Sequence, residues 1–149
     1  MHIHTLSDAE CVRLLSDNRL AHLACAKDGR PYVVPIYFAY ADNHLYAFSL
    51  PGRKIDFMRT NPEVSLIVEE PGNGREWKSV VVEGQFEELP DRIGHKRERD
   101  YARSLLRKHA NWWEPGALKP VATPLYNYSE PIFFRVLVKR LSGREAKQT

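Results

Sequence analysis

The sequence predicts a mainly β domain, in which six antiparallel strands close into a small barrel with short helices on its flank. Three observations carry this. Up to about Glu88 the apolar residues fall mostly in short runs rich in Val, Ile, Tyr and Phe. Two junctions between those runs, Lys27-Asp28-Gly29-Arg30 and Ala41-Asp42-Asn43, are tight-turn signals. The run Pro31–Tyr40 is apolar on both of its alternating sides, so one face can fill a barrel while the other needs a helix or a second subunit over it.

Taken in order, Ser7-Asp8-Ala9-Glu10 has the form of a capping box and opens a helix over Asp8–Ser16, with Cys11, Val12, Leu14 and Leu15 as its apolar positions. The residues ahead of it read as a loose terminus. Leu20–Ala26, Pro31–Tyr40 and His44–Ser49 follow as a three-stranded meander. Pro51-Gly52 interrupts the sheet. Arg53–Thr60 is a short helix placing Ile55 and Met58 inward, closed by Asn61-Pro62. Val64–Val68 and Lys78–Glu88 are the fourth and fifth strands, joined through the irregular loop Pro71–Gly74. Asp91–Ala110 is an amphipathic helix with Tyr101, Ala102, Leu105, Leu106 and His109 on one face. Asn111–Ser129 is aromatic, proline-bearing and without period. Ile132–Leu141 is the sixth strand. Closure of the sheet removes edges that would otherwise stay open to other chains.

The 149 residues, 43% hydrophobic and 28% charged, are ordinary globular composition and disfavour disorder and low-complexity arrays. The length suits a single domain over residues 1–149. No apolar run approaches the roughly 18 residues of a spanning helix, and no signal peptide is visible, so a cytoplasmic, membrane-free protein is expected. Cys11 and Cys25 match no metal-ligand spacing and read as buried thiols. Charge is uneven: residues 1–90 balance at −4 and residues 91–149 at +7. Six of the basic residues, Lys96 to Lys108, fall on one expected helix, so a solvated helix face explains them better than nucleic acid does.

Three stretches could carry chemistry. Ser49-Leu50-Pro51-Gly52-Arg53-Lys54 ends a strand in a hydroxyl and opens a helix with two cations, which suits an anion such as phosphate; two solvated cations beside a turn is the competing reading. Glu76-Trp77-Lys78-Ser79-Val80 places an aromatic wall and a hydroxyl at the start of a strand, suited to a planar ligand or to a barrel mouth. Trp112-Trp113 is apolar surface for a pocket rim or a subunit interface. The six histidines form no His-Glu-x-x-His or His/Cys cluster, and no metal site is expected. Walker and Gly-x-Gly-x-x-Gly loops are absent.

Five of these segments, taken together and in order, resemble the FMN-binding split-barrel family. They are Pro31–Tyr40, Leu45-Tyr46-Ala47-Phe48-Ser49, Gly52-Arg53-Lys54-Ile55-Asp56, Asn61-Pro62-Glu63-Val64 and Trp77-Lys78-Ser79-Val80-Val81-Val82-Glu83-Gly84. The family includes pyridoxamine 5′-phosphate oxidase-like proteins and nitroimidazole-resistance flavoproteins, and the chain is most similar to the latter branch, over about residues 6–145. The resemblance implies a six-stranded antiparallel split barrel that forms a homodimer with FMN at the subunit interface. It implies that Arg53 and Lys54, aided by Ser49, hold the FMN phosphate. Val34, Pro35 and Ile36 run beside the isoalloxazine and offer it backbone groups, and Phe48 lies near the phosphoribityl chain. Trp77 and Ser79 come from the other subunit. The sequence departs from true pyridoxamine phosphate oxidases: it lacks their Arg-Leu-x-Pro ending, and Val33 and Phe38 stand where those enzymes carry basic residues, so vitamin B6 oxidation is not expected.

The function implied is an oxidoreductase passing electrons from a nicotinamide donor to a small organic acceptor, nitroaromatic or quinone-like. No residue is an obvious general acid, so no catalytic residue is assigned. The alternatives are a non-catalytic FMN-binding or redox-sensing module, and a haem- or deazaflavin-binding split barrel.

Overall fold

The computed structural model describes residues 1–108 and 131–148. The Trp112-Trp113 pair and His109 lie outside the described residues. Strands and helices follow in the order β1 (His2–Leu6), α1 (Asp8–Asp17), β2 (Leu20–Lys27), β3 (Arg30–Tyr37), β4 (Ala39–Ala41), β5 (His44–Ser49), α2 (Arg53–Thr60), β6 (Glu63–Pro71), β7 (Trp77–Leu89), α3 (Lys96–Leu106) and β8 (Ile132–Lys147). The described strands thus number eight where the sequence suggests six. They form one antiparallel sheet in the order β3-β2-β6-β7-β8-β5-β4, with β1 paired to β8.

The extra strands have separate causes. The first is β1, which pairs residue by residue with the far half of β8, from His2 opposite Lys147 to Leu6 opposite Gly143. This corrects the expectation of a loose terminus, and it is also why the last strand runs six residues past Leu141. The second arises within Pro31–Tyr40, which is two strands rather than one. Its first part pairs with β2, its last part with β5, and the break is at Phe38. There the backbone N–H turns to the Arg19 carbonyl at 2.8 Å and the ring is buried in the core. The sheet is therefore split, not closed: its two ends, β3 and β4, are consecutive in the chain and joined only through Phe38. The expected helix over Asp91–Ala110 is also shorter. A single 3₁₀ turn at Ile93–His95 precedes α3, and α3 ends at Leu106.

Other local features match the sequence. In the capping box of α1 the Ser7 hydroxyl accepts from the Glu10 N–H, and the Glu10 carboxylate accepts from the Ser7 N–H. Asp28 and Gly29, and likewise Asp42 and Asn43, all have positive φ, the geometry of two-residue hairpin turns.

Alternation sorts the side chains. Ala21, Leu23 and Cys25 of β2, Val64, Leu66 and Val68 of β6, and Val80 and Val82 of β7 form the main core with Leu14, Leu15, Ile55 and Met58 from α1 and α2. A second cluster lies under α3, where Ala102, Leu105 and Leu106 meet Tyr46, Phe48, Leu89 and Phe133. The helices thus bury their apolar residues in these two clusters. Among the described residues no helix covers the opposite face of β3, β2, β6 and β7. On that face lie Pro31, Val33 and Pro35, with Val33 61% exposed, then Ala24 opposite Val33, and Trp77 and Ser79 farther along β7.

Candidate functional site

The turn after β5 brings two cations to the start of α2. Gly52 caps the helix and offers no side-chain bond, so the cap residue leaves the first-turn N–H groups without a side-chain acceptor. Arg53 is exposed and Lys54 half-buried, and among the described residues neither forms an ion pair, although Asp56 stands in the same turn. Arg53 rests instead on an uncharged support. The Arg53 guanidinium lies over the Tyr32 ring, 5.2 Å from its centroid. Lys54 is near enough to the buried Cys25 thiol for each to influence the other's titration. Cys25 and Tyr32 face one another across the β2–β3 ladder.

Burial pushes the Lys54 ammonium below the ordinary lysine range, with Cys25 opposing this weakly. Burial raises the Cys25 thiol, partly offset by Lys54. A charged group that is disfavoured by desolvation and has no carboxylate is suited to an incoming anion. With the folded pKa of Lys54 below its unfolded value, the unfolded chain holds the proton more tightly, so this group adds stability to the ligand-free protein as pH rises toward the ordinary lysine range. Lys54→Met should therefore raise the melting temperature of the flavin-free protein by about 1–3 °C at neutral pH. A fall on thermal unfolding would show that the ammonium is already compensated.

The remaining residues singled out in the sequence divide into those at this end and those elsewhere. Ser49 is at the same turn and 2% exposed, but its hydroxyl donates to the Leu50 carbonyl at 2.7 Å. Val34, Pro35 and Ile36 pair with Leu23, His22 and Ala21, and β3 is an end strand of the sheet, so its far backbone edge is open. Phe48 packs under α3 against Phe133, ring centroids 6.0 Å apart, on the side of β5 away from the main core. Trp77, 37% exposed, and Ser79 lie on the uncovered sheet face near its other end. The row Ala24–Ser65–Glu83 crosses the sheet beside Cys25. From Glu83, Ser79 is four residues and Trp77 six residues along β7, about 13 and 20 Å at the rise of a strand. Within one chain, then, Trp77 is not brought to Arg53 and Lys54. An open groove of about 520 Å³ lies on this face, bordered by Ala24, Ala26, Pro31, Ser65, Glu83 and Arg140.

Sequence reasoning gave no role to Tyr32 as the support of Arg53, nor to Cys25 near Lys54. The turn at Asp28-Gly29 was the available signal, because a two-residue hairpin fixes Cys25 opposite Tyr32. Among the described residues no group of three or more His, Cys, Asp or Glu could hold a metal ion, and no helix is long and apolar enough to cross a membrane.

Comparison with known proteins adds the following. The model of a family described as pyridoxamine 5′-phosphate oxidase matches residues 7–145. RA0666 of Rhizobium meliloti strain 1021 is 49% identical over 146 residues, which are 98% of this chain and 97% of that protein. A crystal structure named as an FAD-binding protein of Mesorhizobium loti is 58% identical, with a TM-score of 0.82, and the match covers 99% of this chain and all of that one. The structure of a protein of Bacteroides thetaiotaomicron VPI-5482, named for 5-nitroimidazole antibiotic resistance, has a TM-score of 0.73 at 18% identity, covering 97% of this chain and 89% of the other. At that identity the likeness is one of fold.

Proposed function

Since this chain belongs to the pyridoxamine 5′-phosphate oxidase family, we propose that it is a flavin-dependent oxidoreductase that binds FMN between the subunits of a homodimer. The observation that carries this reading is the pair of cations at the start of α2, paired with no carboxylate among the described residues and one of them desolvated. Arg53 and Lys54 neutralise the FMN phosphate, and the open N–H groups of the first helical turn add donors. Ser49 joins them by releasing the Leu50 carbonyl. The open edge of β3 at Val34, Pro35 and Ile36 offers backbone groups to the ring, and the β5 backbone at Phe48, whose ring packs under α3, runs near the phosphoribityl chain. Trp77 and Ser79 of the second subunit close the site, which accounts for their distance from Arg53 in one chain. The uncovered face with Val33 and Pro35 is the surface that the partner buries, and a permanent homodimer is expected to bury more than roughly 2,000 Å².

Bound flavin supplies two-electron transfer between a nicotinamide donor and a small acceptor such as a quinone or nitroaromatic. The protein's contribution is to fix the phosphate, orient the ring and exclude water from it. FAD is the second reading, favoured by the 58% identical Mesorhizobium loti structure, which is named for FAD.

The protein as purified should show a flavin absorption spectrum, and the released cofactor should co-migrate with FMN on chromatography; release of FAD selects the second reading, and a haem or deazaflavin spectrum overturns both. Under anaerobic conditions NADH or NADPH should bleach the flavin band, and an added quinone or nitroaromatic should restore it. A band that neither donor bleaches makes the protein a binding module. Interface placement has its own test. An Arg53→Ala/Lys54→Ala chain mixed with a Trp77→Ala/Ser79→Ala chain should regain FMN binding, because in a mixed dimer one site collects every lesion and the other is intact. Binding no better in the mixture than in either parent would place all four residues in a site within one chain.

A further inference from the structure

The geometry points to Tyr32 as the positioning residue of the phosphate grip: its ring holds the Arg53 guanidinium ready for the anion, an inference that rests on the phosphate reading above. Arg53 and Phe57 are four residues apart on α2 and so share one side of the helix. Both meet the same ring, the guanidinium 5.2 Å from its centroid and the Phe57 ring at 5.7 Å with a 57° tilt. Tyr32 is itself fixed by the β2–β3 ladder opposite Cys25, the neighbour of Lys54.

The chemistry of the support matters. A carboxylate at this place would hold Arg53 too, but it would take up the guanidinium N–H donors and oppose an arriving phosphate. An aromatic face attracts the cation through its quadrupole and leaves those donors to the ligand. It also restrains a long side chain that would otherwise lose much of its freedom only on binding. Tyr32 thereby selects phosphorylated flavin over riboflavin without touching either. The competing role is plain packing of α2 on the sheet, which would support both ligands alike.

The test uses the full-length flavin-free chain and fluorescence titration with FMN and with riboflavin. Wild type should prefer FMN by at least tenfold. Tyr32→Phe, which keeps the ring face, should stay within twofold of wild type for both ligands. Tyr32→Leu should weaken FMN about fivefold and leave riboflavin unchanged, and the loss should shrink at high salt. In an Arg53→Ala background the same Leu substitution should change FMN binding no further. Should Tyr32→Leu not fold, Tyr32→Met takes its place. Equal weakening of FMN and riboflavin, or an unchanged ratio, overturns the positioning role while leaving the phosphate site standing. A wild type that does not distinguish the two flavins removes the phosphate site and the role of Tyr32 together.

Discussion

Replacing Gly84 with alanine is expected to lower the melting temperature by about 6–12 °C, corresponding to roughly 3 kcal/mol at this chain length. Gly84 lies at the one shift of register between β7 and β8, where Glu83 pairs with Arg140 but Gly84 pairs with Val138. An added Cβ would overlap the backbone carbonyl oxygen of Leu137 and lie 2.6 Å from Val136 Cγ1. A side chain can rotate away from such a clash, whereas the backbone of a central strand cannot, so the penalty belongs at the upper end of overpacking. Thermal unfolding followed by circular dichroism measures it. A drop below 2 °C would mean that the bulge at Lys139 can absorb a methyl group. Gly143 is similarly tight: an added Cβ would lie 2.6 Å from Cys11 Sγ and 2.9 Å from Leu6 Cβ, so alanine there is expected to be destabilising as well.

The Arg53→Ala/Lys54→Ala double variant should lose about a hundredfold in FMN affinity, taking charge-assisted hydrogen bonds at the low end of their range, about 1.5 kcal/mol each. The low end is appropriate because Arg53 is exposed and screened. The fold should survive, since both side chains lie at a helix start and neither belongs to the buried core clusters. Riboflavin affinity is the control and should be nearly unaltered. If the variant retains FMN within threefold of wild type, the phosphate is held elsewhere, and the basic residue Arg140 beside the sheet groove becomes the next candidate.

Local chemistry was legible in the sequence to a greater degree than long-range pairing. The turns at Asp28-Gly29 and Asp42-Asn43, the capping box at Ser7 and the helix Arg53–Thr60 were all readable, because each is decided by residues within a few positions of one another. The strand His2–Leu6 was not. It has almost no buried side chain, only Leu6, and its existence depends on β8, about 140 residues away. The break at Phe38 was equally silent, for no glycine or proline marks it. What decides it is that one half of the run finds β2 and the other finds β5. At the candidate site the two cations and their anion chemistry were readable from Gly52-Arg53-Lys54. The aromatic support of Arg53 comes from β3, and only the folded sheet brings it to α2.

The position of β8 also bears on the order of assembly during translation. It lies between β7 and β5 in the sheet although it follows both in the chain, and it also carries β1. Until β8 leaves the ribosome, β7 and β5 each present an unpaired edge, and the N-terminal strand has no partner. A nascent chain of β1 to β7 is therefore a template for pairing with other nascent chains. The completed protein closes these gaps in one late, long-range step, of the kind that places folding in the millisecond-to-second regime. Chaperone demand should accordingly be greatest for polypeptides stalled before Ile132, and it should fall once Lys147 has emerged.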